Sequence, residues 1–253
     1  MKDNPILLHI ETATEVCSVA LSEGERILAV CTSNDGNSHS KNLLPFIDRL
    51  FHDANCTLQS KSVHDMHGIT LRDIDGVSVS IGPGSYTGLR IGVSTAKGIA
   101  YALNVPVMAI GTLESIANGA RIRMFPDADD VIIPKGASIV PMIDARRMEV
   151  YTAQYDESLH ELSAPSALIV DEHSFDEPLS KGYVIFCGNG MPKCRELLAR
   201  HANARFSEFP ISAHHLLAPA LQRWRAQDFA DTAYFEPFYL KEYVAAKPHV
   251  KGL

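Results

Sequence analysis

Three short runs of aliphatic and β-branched residues open the chain: Ile6 to Glu11, Val16 to Leu21 and Arg26 to Thr32. Turn-compatible pieces such as Glu23-Gly24-Glu25 separate them, and the pattern predicts a three-strand meander. The period then changes. From Ser38 to Ala54 the apolar residues fall at Leu43, Leu44, Ile47, Leu50 and Phe51, a helical stripe whose start Ser38 or Ser40 can cap. After a polar stretch, Ile74 to Ile81 alternates as a strand and Gly82 to Gly88 makes a glycine-rich turn. Thr87 to Leu103 is helical and Val105 to Ile110 is a strand again, so the first half reads βββαβαβ.

The second half repeats that order. Ser138 to Asp144, Glu149 to Tyr155, Ala167 to Val170 and Tyr183 to Cys187 read as strands, and Pro192 to His201 and His214 to Phe229 as helices. The expected fold is α/β, a duplicated βββαβα arrangement in two lobes, with mixed sheets covered by helices on their faces. An N-terminal lobe of residues 1–110 carries the first two helices, with the 213–229 helix a candidate to join it. Residues 111–253 form the C-terminal lobe, and Arg123 to Gly136 is an exposed connection.

Composition narrows the function classes. Of 253 residues 46% are hydrophobic and 21% charged, which excludes a disordered, collagenous or coiled-coil chain. Lys and Arg number 23 against 30 Asp and Glu, a net charge of −7, so a broad phosphate-binding surface is not expected. A basic patch at Arg195, Arg200, Arg205, Arg223 and Arg225 would serve only local contact with nucleic acid. The five cysteines are odd in number, contain no C-x-x-C and sit mostly in apolar runs, the pattern of reduced thiols in the cytoplasm. No apolar run approaches the roughly 20 residues of a membrane span, and no secretory core follows Met1, so neither a membrane nor an export partner is expected.

The most distinctive stretch is Gly82-Pro83-Gly84-Ser85-Tyr86-Thr87-Gly88-Leu89-Arg90-Ile91-Gly92. A glycine turn opening a helix can aim backbone N–H groups at an anion, or simply permit a sharp turn and close packing. It lacks the Gly-Lys-Ser/Thr ending of a Walker loop, Thr87 stands where a dinucleotide fingerprint needs its third glycine, and Tyr86 rather than a serine is central in the would-be nucleophile elbow. In the following helix Leu89, Val93, Ala96, Ala100 and Leu103 form one stripe, and Gly88, Ile91, Gly92, Thr95, Gly98 and Ala102 a second. Helical glycines are unfavourable by about 0.5–1 kcal/mol each, so the second stripe predicts close approach by a neighbour, either the preceding helix or another chain.

The remaining candidates are weaker. Glu11-Thr12-Ala13-Thr14-Glu15 is an acidic, hydroxyl-rich turn of the kind that holds Mg²⁺ and phosphate in two-domain phosphotransferases, but it lacks glycine and reads as structural. His64 and His67, with Cys56 upstream, lack zinc spacing. His39 and His214-His215 are isolated histidines, Asp144-Ala145-Arg146-Arg147 is a charged turn that either binds an anion or is a hairpin tip, and Lys241, Lys247 and Lys251 make a mildly basic tail.

Together ILLHIETATEVCSVAL from Ile6, the helix from His39-Ser40 through Leu43-Leu44-Pro45, GPGSYTGLRIG from Gly82, DARRMEVY from Asp144 and FYLKEYV from Phe238 resemble the bacterial TsaB (YeaZ-type) family of threonylcarbamoyladenosine biosynthesis proteins. Two departures stand out: Glu11 where aspartate is usual, and a long Cys56 to Leu71 stretch. The resemblance implies the fold of the actin, hexokinase and Hsp70 superfamily. It also implies a non-catalytic subunit that pairs with a TsaD-like protein and acts with a TsaE-like ATPase to install threonylcarbamoyl on the adenosine beside the tRNA anticodon. On that basis the chain itself needs no cofactor; ATP or ADP and a divalent metal belong on the partners, and tRNA is met through the complex. The same face can self-associate. The implied interface uses Leu43 and Ile47 of the first helix with Gly84, Ser85, Tyr86, Gly88, Ile91, Gly92, Thr95, Gly98 and Ala102 of the second. The alternative is an enzyme in its own right, a nucleotide hydrolase or a peptidase-like protein using Ser85.

Overall fold

A computed structural model describes residues 2–36, 38–59, 68–124 and 136–241, with side chains at 55–59 and 123–124 left aside. The expectations for His64 and His67, for most of the Arg123–Gly136 connection and for Lys247 and Lys251 lie outside the described residues.

The first sheet contains β1 (Ile6–Glu11), β2 (Cys17–Glu23), β3 (Arg26–Ser33), β4 (Gly76–Ser80) and β5 (Val107–Ile110), in the order β3-β2-β1-β4-β5. The meander pairs antiparallel, with Leu8 opposite Leu21, whereas β1, β4 and β5 run parallel. Two helices, α1 (His39–Gln59) and α2 (Tyr86–Leu103), cover one face. Strand alternation decides which residues meet them: Leu8, Ile10, Val19 and Leu21 pack with Leu43, Ile47 and Leu50 of α1 and Val93, Ala96 and Ala100 of α2.

The second sheet repeats the first. It contains β6 (Ser138–Asp144), β7 (Glu149–Tyr155), β8 (Glu161–Ile169), β9 (Val184–Cys187) and β10 (Ala204–Ser207), in the order β10-β9-β6-β7-β8. Its outer face carries α4 (Asp176–Lys181) and α5 (Met191–Leu198), joined to the sheet by Phe175, Leu179, Phe186, Met191 and Cys194.

Between the sheets lies a layer that breaks the sequence order. The third helix of the first half, α3 (Thr112–Met124), packs Leu113, Ile116, Ala117 and Ala120 on Ile139, Ile143 and Ile185 of the second sheet. Conversely, a 3-10 turn (Ala213–Leu216) and α6 (Leu217–Ala226) from the second half bring Leu216, Ala220, Leu221 and Trp224 onto Leu7, Met108 and Ile110 of the first. Arg223 forks onto both oxygens of Glu114 at 2.9 and 2.8 Å, and the Asn118 side-chain amide donates to the His215 carbonyl at 2.6 Å, so the exchanged helices are tied to each other.

Several boundaries differ from expectation. The helix α3 after Ile110, the helix α4 and the strand β10 were not foreseen. The helix expected over His214 to Phe229 is a 3-10 turn followed by α6, which stops at Ala226 with Gln227 in a left-handed cap. Strand β8 begins six residues earlier than Ala167, because Pro165 is tolerated on a sheet edge. No helix among the described residues is long and apolar enough to cross a membrane.

Ile116 is fully buried in the exchanged layer, whereas Ile122 on the same helix is 42% exposed. Ile116→Ala should lower stability by about 2–5 kcal/mol and Ile122→Ala by less than about 0.5 kcal/mol, read from urea unfolding midpoints.

Candidate functional site

The glycine block is seated on the β1–β2 turn. Ser85 N–H donates to the Ala13 carbonyl at 2.6 Å, and the Thr12 hydroxyl donates to the Gly88 carbonyl at 2.9 Å. A β-carbon added at Gly84 would lie 2.2 Å from the Ala13 carbonyl oxygen, at Gly88 2.1 Å from the Thr12 carbonyl oxygen, and at Gly92 2.2 Å from the Thr12 hydroxyl oxygen. Those three glycines therefore allow α2 to press on its own chain. Gly98 differs: nothing lies within 4 Å of its would-be β-carbon.

Ser85 is the N-cap of α2, its hydroxyl accepting from Gly88 N–H at 3.2 Å. That role explains the serine without invoking a nucleophile. His39 is buried and its Nε2 lies 3.2 Å from the Val16 carbonyl.

Beneath the turn, Glu11 is fully buried. Its Oε1 accepts from Ala13 N–H at 2.7 Å and from the Ser80 hydroxyl at 2.9 Å, while Oε2 has no partner among the described residues. Burial raises its pKa to about 7 against the opposing hydrogen bonds, so the carboxyl is held near its neutral form. Two residues back on the same strand face, His9 touches the Ser78 and Ser22 hydroxyls at 2.7 and 2.8 Å, and burial, with His214 nearby, lowers its pKa to about 3. Around Glu11 and His9 the strand leading into this turn is packed as a polar seam.

A cleft of about 910 Å³ opens between the lobes, lined by Thr14, Glu15, Ser85, Thr87, Arg146 and Lys241 among others. Its far wall is the β6–β7 turn, where Arg146 and Arg147 both adopt left-handed conformations at φ 71° and 49°. The Asp144 to Arg147 segment is a hairpin tip facing the cleft, with Asp144 Oδ1 accepting from Arg146 N–H at 2.9 Å and paired with Lys193. No group of three or more metal-ligating side chains occurs among the described residues.

The interface set splits when placed on the structure. Leu43 and Ile47 are 1% and 5% exposed and belong to the first core; Gly88 and Gly92 are buried against the Thr12–Ala13 turn, and Gly84, against the same turn, is half-buried and lines the cleft. Tyr86 is half-buried, stacked on Tyr239 at 4.7 Å with Arg90 4.3 Å above its ring. Ile91 and Thr95 are half-buried, and Gly98 and Ala102 are exposed. The structure adds Tyr101 at 86% exposure and Leu44 at 62%. Leu44 looked like part of the buried stripe, but one residue turns a helix by about 100°, which moves it off the Leu43–Ile47–Leu50 seam. The arginine patch is also spoken for: Arg195, Arg200, Arg223 and Arg225 pair with Glu208, Glu172, Glu114 and Glu25, and Arg205 lies 4.4 Å over Tyr183.

Two lobes of one repeated topology, with their third helices exchanged between the sheets and a cleft where the strand ends converge, define the α/β architecture of the actin, hexokinase and Hsp70 superfamily. The family model described as "TsaD: tRNA N6-adenosine threonylcarbamoyltransferase" matches residues 33–222, and the chain belongs to that family. It is similar to the tRNA threonylcarbamoyladenosine biosynthesis proteins TsaB of Haemophilus influenzae (32% identity over 152 residues, 60% of this chain and 54% of the relative) and Escherichia coli (32% over 153 residues, 59% and 54%). The alignments span about half the length of these curated relatives. A tRNA N6-adenosine threonylcarbamoyltransferase of Thermosipho melanesiensis is 36% identical over 107 residues, 42% of this chain and 33% of that protein. YeaZ from Pseudomonas aeruginosa shares the fold, with a TM-score of 0.75 and 24% identity over 93% of this chain and all of that one.

Gly92→Ala should destabilise the protein by about 1–3 kcal/mol through overpacking against Thr12, whereas Gly98→Ala should stabilise it by up to about 1 kcal/mol, both measured by urea unfolding. Glu11 supplies a pH signature. Because its folded pKa is raised, its favourable contribution is complete below about pH 4.5 and is lost as pH rises through about 7. Glu11→Gln should therefore gain on the order of 2 kcal/mol relative to wild type between pH 4 and pH 8, whatever its absolute stability at pH 4.

Proposed function

We propose that this chain is a non-catalytic subunit of the machinery that makes threonylcarbamoyladenosine in tRNA, pairing with a related two-lobed protein of the TsaD type through the outward face of α1 and the C-terminal half of α2. Its observational basis is the asymmetry of α2. The glycines at its start are filled from within, while Ser94, Gly98, Tyr101 and Ala102 lie open, and Leu44 on α1 is 62% exposed. An open small-residue stripe with an exposed aromatic suits helix-against-helix packing, with aromatic anchors supplying much of the affinity.

The relatives' names point to the pathway, and the presence of both TsaB and threonylcarbamoyltransferase relatives favours a partner that is itself a sibling. In this reading ATP or ADP and a divalent metal act on the partners, a TsaE-like ATPase joins them, tRNA is met through the assembly, the setting is the cytoplasm, and the same face supports a homodimer when the partner is absent. The peptidase-like alternative is disfavoured by Ser85, whose hydroxyl is spent on capping α2.

The test is co-purification with the TsaD-type protein of the same organism. Gly98→Arg and Tyr101→Glu, both on open helix surface, should each abolish pairing while leaving the unfolding midpoint within about 0.5 kcal/mol of wild type. Pairing that survives both substitutions would reject this face. Gly92→Arg is a poor probe, since it would collide with Thr12 inside the chain.

A further inference from the structure

The segment after α6 does not end where the fold is complete. It turns back as a strap along the first lobe and then crosses to the second. Ala230 N–H donates to the Val107 carbonyl at 2.9 Å at the free edge of β5. Lys97 of α2 donates to the Ala233 and Phe235 carbonyls at 3.2 and 3.0 Å, with its ammonium 5.0 Å over the Phe235 ring. Phe238 N–H donates to the Ile81 carbonyl at 2.6 Å, and the Phe238 carbonyl occupies the space that a β-carbon on Gly82 would need, at 2.2 Å. Tyr239 then stacks on Tyr86, Leu240 and Lys241 line the cleft, and Lys241 reaches Glu149 on the second lobe at 2.5 Å.

The attachment is lopsided. On the first lobe it rests on backbone hydrogen bonds, a fitted glycine and an aromatic that joins the core. On the second, among the described residues, it rests on an ion pair whose lysine is 48% exposed, a bond that solvent and salt weaken readily. A strap anchored firmly on one rigid body and lightly on another is built to release at the light end. Glu149 is a sensitive place for that end: it opens β7, and its carbonyl accepts from Lys193 at 2.7 Å and from Ala145 N–H at 3.1 Å, so it helps to hold the hairpin tip that forms the cleft's far wall.

We propose that residues 230–241 form a charge-latched brace that ties α2 to the second lobe across the mouth of the cleft, with Lys241–Glu149 as the releasable latch. The proposal does not depend on which partner the chain meets. What it adds is a route by which a contact on α2 is felt in the cleft, since Tyr101 stands one helical turn from Lys97, the residue that grips the strap.

NMR of the full chain at low salt tests it, with backbone 15N order parameters for Leu240 and Lys241 at the light end and hydrogen exchange for the Ala145 amide on the far lobe. In Lys241→Glu, and separately in Glu149→Lys, the order parameters at 240 and 241 should fall and the Ala145 amide should exchange at least threefold faster than in wild type. The double exchange, Lys241→Glu with Glu149→Lys, should return the order parameters to wild-type values and the Ala145 rate to within twofold. Single variants with unchanged order parameters at 240 and 241 would overturn the latch. Lower order parameters with an unmoved Ala145 amide would show a strap that merely lies on α2 and would overturn the brace, as would a double variant no closer to wild type than the singles.

Discussion

Backbone meets backbone where α2 begins, and the rest of the molecule is arranged around that contact. The Thr12–Ala13 turn approaches so closely that no β-carbon fits at Gly84, Gly88 or Gly92, and the Ser85 amide and Thr12 hydroxyl complete the seat. Pressing the helix down at its start fixes its rotation about its own axis. Leu89, Val93, Ala96 and Ala100 are thereby turned into the sheet, and Gly98, Tyr101 and Ala102 are turned out. The face that α2 leaves open is thus set by a contact inside the chain.

The same turn ends the strand whose other side forms the polar seam between the lobes. Leu7, His9 and Glu11 share a strand face, and each is met differently: Leu7 by apolar residues of α6, His9 by two serine hydroxyls, Glu11 by Ser80 and the Ala13 amide. Burial keeps both titratable groups near neutrality, lowering the histidine and raising the glutamate. A site of this kind contributes packing and orientation. It holds the strand end with a buried, hydrogen-bonded carboxyl rather than an exposed one.

How much of this could be read beforehand varies with the element. The meander, α1, α2 and the parallel strands were legible because each has a clean period, and the duplication followed from their order. Helix α3 was not. Its buried face intersperses Leu113 and Ile116 with the small and polar residues Ser115, Ala117, Asn118, Gly119 and Ala120, and flanking Gly111 with internal Asn118-Gly119 imitates a turn. The exchange of third helices between sheets is a tertiary fact with no local mark. Of the glycines in the α2 stripe, Gly88 and Gly92 mark a close approach while Gly98 faces open space, and sequence does not say from which side a neighbour comes. Leu43 and Ile47 followed the same logic: a helical stripe announces a buried face but not whether its own chain or another buries it. The aromatics that the fold leaves open, Tyr101 and Tyr234, carry no sequence signal at all.

If the outward half of α2 is the docking face, its side chains must lose solvent when the partner arrives, and the cleft need not. Hydroxyl-radical footprinting of this chain alone and mixed with the TsaD-type protein of its organism measures that directly. Protection of Tyr101 and Leu44, with the cleft residue Tyr151 unchanged, is the result expected. Tyr101 and Leu44 reacting as in the free chain while Tyr151 becomes protected would place the partner in the cleft and contradict the account.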